Sequence, residues 1–363
     1  LSGSPIIGSF DFRRRVDFVR VPGVIKLRNG DYTSHSLDLD IEQTVAMRAS
    51  IVRHTAEIFD PDLFIVDKEP LGLRGEVAET LEMLRQRGTP LVLGLRDVMD
   101  EPSLLATEWE RKNVVPALEK LYDEIWVYGL PQICDPLAEI NLPPEVRRKM
   151  VYTGYLEREG ARGAPATEHA VPFDRPYLLV TPGGGGDGEA MMDWVLRAYE
   201  YDARPPYPAL LVFGPFMQNE IQAEFAARVS RLRDVEAITF EANIEPLIQE
   251  AAGIVAMGGY NTFCEILTFD KPSLIIPRTV PRMEQFIRAN RAQELGLVRM
   301  LADDGVRLAR DMATALRHLP QQNRPSDVVV PGLLDGLPNV NRLARRLGNR
   351  GSQPITAIAG GSA

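Results

Sequence analysis

Two glycine turns hold the groups best suited to chemistry. Gly258 and Gly259 close the apolar run IVAMGG, and a helical stretch starts at about Asn261. Glycines let a backbone approach a ligand closely, and the free N–H groups of a helix start favour an anion. Thr262 lies in the same first turn, and Glu265, one turn on, projects beside that anion. Asn261 or Thr262 reads equally well as a helix cap, and Glu265 as a solvated carboxylate favoured by the helix dipole. Glu284 and Gln285 open a further helix after the next strand and face the same crevice; read alone they are a solvated first turn. Phosphate donors followed by a carboxylate in reach of a sugar hydroxyl are what a nucleotide-sugar site requires. The second turn is Gly183, Gly184, Gly185 and Gly186, after the strand Tyr177–Val180. Four consecutive glycines exceed the needs of one tight turn, and their N–H groups can surround an oxyanion. No Gly-Lys-Ser/Thr follows and the spacing is not Gly-x-Gly-x-x-Gly, which excludes a Walker loop and a dinucleotide fingerprint. Asp187, inside this loop, opposes a phosphate by its charge.

The N-terminal half offers charged residues after two strands. Asp67, Lys68, Glu69 and Arg74 lie in DKEPLGLR, and Arg96 and Asp97 in RDVMDEP. Ligands of α/β proteins bind at the carboxyl ends of parallel strands. Asp67, Glu69 or Asp97 are the catalytic candidates, each able to accept the proton of an attacking hydroxyl. Lys68, Arg74 and Arg96 are the acceptor-side candidates, positioning the acceptor or offsetting product charge. The plainer alternative has Asp67 and Asp97 capping helices and Arg96 in a surface ion pair. No metal site is expected: Asp38-Leu39-Asp40 has the letters of an Asp-x-Asp motif but opens a helix.

The elements that position these residues alternate. Leu39–Phe59 has helical periodicity, Asp62–Val66 reads as a buried strand, and Glu76–Arg87 as a helix stopped by Gly88. Pro90–Leu95 and Glu124–Tyr128 are strands on either side of a helix over Trp109–Tyr122. A short helix over Pro136–Ile140 and a strand at Val151–Tyr155 follow. After Glu157–Asp174, rich in Gly, Ala, Pro and charge, the alternation resumes. Strands at Ala209–Phe213 and Val235–Phe240 flank a helix over Asn219–Leu232. Such alternation predicts parallel, doubly wound sheets. The domains expected are 1–156, a linker over 157–174, a second domain over 175–335, and a helix with a frayed tail over 336–363.

Composition narrows the classes. With 363 residues, 45% hydrophobic and 25% charged, the chain has the make-up of a soluble globular protein with two sizeable cores. A net charge of −9 argues against a broad nucleic-acid surface. Cys134 and Cys264 lack metal-ligand spacing and read as reduced thiols. No apolar run reaches the roughly 18 residues of a membrane span, and the expected location is cytoplasmic.

The ordered series of glycine loop, FEANIE, GGYNTFCE, IIPR and EQFIRANRAQELG resembles the C-terminal donor domain of GT-B glycosyltransferases. It is similar to the branch containing the N-acetylglucosamine transferase of lipid-linked peptidoglycan precursor synthesis. The resemblance covers roughly residues 150–305 well and the N-terminal half only in architecture. It implies two Rossmann-like domains with a nucleotide diphosphate sugar, uridine-linked, held in the crevice between them. It also implies an inverting transfer to a hydroxyl acceptor, lipid-linked or small, without cofactor, with peripheral membrane contact open. On it, the Phe240, Glu241, Ala242 and Asn243 backbone meets the base, Gly258 to Thr262 the diphosphate, Glu265 the ribose, and Glu284 and Gln285 the donor sugar. Members begin with a strand and a Gly-rich loop, whereas LSGSPIIGSF enters after them, so the N-terminal domain is expected to lack its first strand and helix. A sugar-nucleotide 2-epimerase on the same plan and a non-catalytic nucleotide-sugar-binding protein are the alternatives. The epimerase expectation is weakened because none of His35, His54, His169 and His318 lies beside a glycine loop.

Overall fold

The computed structural model describes residues 1–9, 12, 14–26, 32–158, 172–183 and 187–351. Strands β1 (Val24–Lys26) and β2 (Tyr32–Ser34) pair antiparallel, apart from the two main sheets. Helix α1 (Ile41–Phe59) begins where Asp40 and Gln43 cap each other reciprocally, so Asp40 satisfies a helix end. The first sheet then forms from β3 (Phe64–Asp67), β4 (Leu91–Arg96), β5 (Glu124–Tyr128) and β6 (Met150–Tyr152), parallel and in that spatial order. Helix α2 (Ala78–Arg87) crosses between β3 and β4, and α3 (Pro102–Arg111) and α4 (Val115–Lys120) lie between β4 and β5. Helix α5 (Pro144–Arg147) precedes β6. On the outer side of β3 the described residues place no further strand; Ser2 instead bridges to Arg20.

Two helix expectations change here. The stretch Trp109–Tyr122 is two helices, broken where Asn113 turns left-handed at φ 49°. Pro116, in the first turn of α4, cannot donate to the preceding turn, so one continuous helix is excluded. Pro136–Ile140 forms turns, not a helix. Asp135 accepts from the Leu137 N–H at 3.0 Å, and Arg147 donates to the Leu137, Ala138 and Ile140 carbonyls, satisfying that backbone without a helical ladder.

The second sheet comprises β7 (Leu178–Thr181), β8 (Ala209–Val212), β9 (Val235–Ile238), β10 (Gly253–Ala256), β11 (Ser273–Ile275) and β12 (Arg299–Met300). Its order is β12-β11-β10-β7-β8-β9, all parallel. Helices α6 (Glu189–Tyr201), α7 (Asn219–Val229), α8 (Glu245–Glu250), α9 (Tyr260–Thr268), α10 (Glu284–Glu294) and α11 (Ala309–His318) connect and cover it. The chain moves outward from β7 to β8 and β9, then returns to the other side of β7 with β10. Between β7 and β10 the order reverses, and such a switch point is where open α/β sheets leave a crevice. Strands β7, β8 and β10 are buried at every position, as strands covered on both faces must be.

Helix α12 (Gly336–Gly351) lies on the first sheet, where Leu343 and Leu347 pack with Val92 and Trp126. A fully buried leucine contributes about 1.5–3 kcal/mol relative to exposure, so the C-terminal helix is an integral wall of the N-terminal half. The two halves also meet directly. Met283 donates its N–H to Asp100 at 3.1 Å, and Arg291 donates to the Gln132 carbonyl at 2.7 Å.

Candidate functional site

The site begins where β10 runs into α9. Gly258 has φ 78°, and a Cβ there would lie 2.7 Å from Ile275 Cγ2, so the turn needs both the left-handed backbone and the missing side chain. Gly259 then takes the N-cap of α9 without any side-chain cap. The first-turn amides are therefore left for a ligand or water. Across the switch point, Gly183 at φ 83° would bring a Cβ to 3.1 Å from Thr262 Oγ1, so the two glycine turns abut. Gly184, Gly185 and Gly186 lie outside the described residues.

Two chambers open on either side of this junction and share Gly183, Asn261 and Thr262. The first, about 260 Å³, is walled by Phe240, Glu241, Ala242 and Glu265. Its floor is ordered by Glu241, which accepts the Asn243 N–H at 3.0 Å. Burial pushes the Glu265 carboxyl up to about 7; Arg158, 4.0 Å away, pulls it down, and Glu245 pushes it up. A largely buried carboxyl facing a cavity is suited to hydrogen-bonding sugar hydroxyls.

The second chamber, about 270 Å³, holds Glu284 and Gln285 from α10 and Arg278 from the end of β11. Arg278 bonds Asp187 and donates to Glu284 at 2.6 Å, and its N–H donates to Gln285 at 3.1 Å. The charge of Asp187, an obstacle to anions when read from sequence, is thus offset by Arg278. Among the described residues, Arg278 Nε and Glu284 Oε2 remain buried with no hydrogen-bond partner. Each such orphan costs about 1–3 kcal/mol, and both belong to side chains that line this chamber.

The N-terminal wall of this chamber carries Lys68 and Arg96. The three carboxylates expected to accept a proton lie elsewhere. Glu69 pairs with Lys112 at 2.9 Å, and Asp67 faces a separate groove outside β3. Asp97 is wholly buried and forms a bidentate pair with Arg288, at 2.7 Å from both Nε and Nη2, while Tyr155 donates its hydroxyl at 2.7 Å. With three donors on its two oxygens, Asp97 is built to orient Arg288, not to receive a proton from substrate. Arg74, an acceptor-side expectation, instead pairs with Glu42 at 3.0 Å on the surface.

Sequence reasoning missed Arg288 although its signal was present. It follows Glu284 by one helical turn, on the same face of α10. Its Nη1 donates to the Gly258 carbonyl at 2.9 Å, so it ties the N-terminal half to the glycine turn before α9. Burial opposes its charge, but Asp97 outweighs this and holds the guanidinium ionised. Among the described residues no cluster of three or more His, Cys, Asp or Glu side chains could hold a metal, and no helix is long and apolar enough to cross a membrane.

Comparison with known proteins bears on this geometry. Residues 184–326 match the model of the glycosyltransferase family 28 C-terminal domain. The chain is 27% identical over 258 residues to an uncharacterized glycosyltransferase of Methanosarcina acetivorans, covering 67% of this chain and 61% of that protein. A second uncharacterized glycosyltransferase, from Methanosarcina mazei, is 24% identical over 298 residues, covering 78% and 72%. Among solved structures, the calicheamicin glycosyltransferase CalG4 superposes with a TM-score of 0.55 at 15% identity, over 88% of this chain and 83% of that one. A UDP-GlcNAc 2-epimerase from Neisseria meningitidis, bound to UDP-GlcNAc, gives 0.56 at 13% identity, over 86% and 83%. These structural likenesses establish the GT-B fold, shared by transferases and epimerases alike.

Proposed function

We propose, from a C-terminal half that carries a glycosyltransferase family 28 C-terminal domain, that this protein is a glycosyltransferase using a nucleotide diphosphate sugar, with uridine as the base. The observation that carries the reading is the order of groups along the crevice. Phe240, Glu241, Ala242 and Glu265 line one chamber, the uncapped start of α9 lies at the junction, and Arg278, Glu284 and Gln285 line the other chamber. A nucleoside fits the first, a diphosphate the junction and a hexose the last. Glu265 accepting from two vicinal ribose hydroxyls gains charge-assisted bonds of about 1.5–3 kcal/mol each.

In the reaction an acceptor hydroxyl oxygen attacks the anomeric carbon, and the bond from that carbon to the diphosphate oxygen breaks. The electron pair leaves with the diphosphate, and the hydroxyl proton is released. Amides at the α9 start meet the growing negative charge in a site already oriented towards it, so a divalent metal is not required. A single in-line displacement inverts the anomeric centre. The acceptor is a hydroxyl compound, lipid-linked or small. The free thiols Cys134 and Cys264 support a cytoplasmic setting.

Incubation with UDP-sugars tests the reading. Release of UDP that rises with added acceptor is the expected result. Conversion of UDP-GlcNAc to its 2-epimer would instead establish the second reading, which the GT-B fold accommodates; binding without turnover would establish a non-catalytic role.

A further inference from the structure

Lys68 and Arg96 stand on the N-terminal wall of the second chamber, facing the start of α9. The carboxylates around them are committed elsewhere: Glu69 to Lys112, Asp97 to Arg288, Asp100 to Arg282 and Glu284 to Arg278. Among the described residues neither cation takes part in an ion pair. Lys68 sits at φ 69°, a left-handed conformation that a lysine rarely adopts and that tends to persist where a site requires it. Its N–H donates to the Gly94 carbonyl at 2.8 Å, which fixes the turn at the end of β3. The Arg96 guanidinium carbon is 5.8 Å from the centre of the Tyr260 ring, the first residue of α9, so it reaches the anion-binding turn from the opposite domain. Burial, followed by the neighbouring Arg282 and Arg96, lowers the Lys68 ammonium below its ordinary range. Glu69 and Glu284 oppose this only in part, and an anion joining the cations would relieve the repulsion that remains.

We propose that Lys68 and Arg96 form an oxyanion subsite on the acceptor-side wall, taking a phosphate group opposite the helix-α9 turn. It rests on the crevice being the donor site. The phosphate comes either from the leaving diphosphate or from a phosphorylated acceptor, and both present the same oxygens to these cations. A subsite supplied by one domain and facing a turn supplied by the other would make phosphate binding depend on how the two halves meet.

The test is calorimetric titration of the full chain and of Lys68→Gln and Arg96→Gln, with thermal melts confirming that both variants fold. UDP, UMP and, on UDP-saturated protein, inorganic pyrophosphate are the probes. If the donor is the source, UDP affinity falls about tenfold or more in each variant while UMP is unchanged, because one charge-assisted bond to the terminal phosphate is lost. If the acceptor is the source, UDP is unaffected and the uptake of pyrophosphate by UDP-saturated wild type disappears in the variants. Folded variants that match wild type in both arms overturn the proposal. Wild type that binds pyrophosphate but not UDP, with that binding lost in the variants, leaves the subsite standing and defeats the nucleotide reading.

Discussion

In the C-terminal sheet the first strand, β7, lies in the middle; in the N-terminal sheet the first described strand, β3, lies at an edge. The consequences differ. Around β7 the chain reverses direction across the sheet, and Gly183 after β7 abuts Thr262 after β10 at one crevice. Outside β3 there is an apolar groove of about 690 Å³, and Ile58, Phe59 and Ile65 stand 72%, 77% and 43% exposed. The C-terminal half therefore offers backbone amides at the start of α9 beside side chains of α9 and α10, and the N-terminal half faces them with the side chains of Lys68 and Arg96. Mutations should separate these two modes.

The largest effect is expected at the seam between them. Arg288→Ala leaves Asp97 buried and charged without its bidentate partner, and should destabilise the protein by about 3–5 kcal/mol. Chemical denaturation measures this; a loss below about 1 kcal/mol would mean that the seam is open to water. Next comes the backbone turn. Gly258→Ala meets Ile275 and an unfavourable φ, for a cost of about 1–3 kcal/mol. Gly259→Ala, where a Cβ meets nothing within 4 Å and φ is −57°, should leave stability within about 0.5 kcal/mol yet weaken UDP binding by intruding on the anion. Equal melting temperatures for the two alanine variants would contradict the account of the turn.

Glu265 yields a pH dependence. Its folded carboxyl titrates near 7, above the ordinary 4.5, so the folded state holds a proton that the unfolded chain releases. The donor-free protein accordingly loses stability as pH rises between about 4.5 and about 7. Ribose binding prefers the ionised carboxylate, so UDP-sugar affinity should weaken several-fold as pH falls through about 7. Glu265→Gln should flatten this profile; an unchanged profile would remove Glu265 from the ribose. The smallest effect belongs to the surface pair of the N-terminal half. Glu69→Ala breaks an exposed bond to Lys112 and should cost no more than about 1 kcal/mol, with turnover retained.

The same contrast explains what was legible in sequence. Alternating apolar strands and helices showed both sheets, and glycines at strand ends marked the crevice at the switch point, because backbone chemistry is written locally. The roles of Asp97 and Glu69 were not legible, since each is decided by a partner distant in the chain: Arg288 lies 191 residues from Asp97, and Lys112 lies 43 from Glu69. Asp187 looked hostile to phosphate for the same reason, its Arg278 partner being 91 residues away. The helix break at Asn113 was legible in principle from Pro116, but periodicity alone ran through it. Local sequence predicts a backbone; a partner distant in the chain decides a side chain.

Titration of the full chain with UDP and with uridine tests the central claim most directly. The α9 turn should make UDP bind at least about tenfold tighter than uridine, and saturation at about 100 times the dissociation constant should add about 2.7 kcal/mol of stability. Equal affinities, or no binding of UDP at all, would contradict a diphosphate at the start of α9.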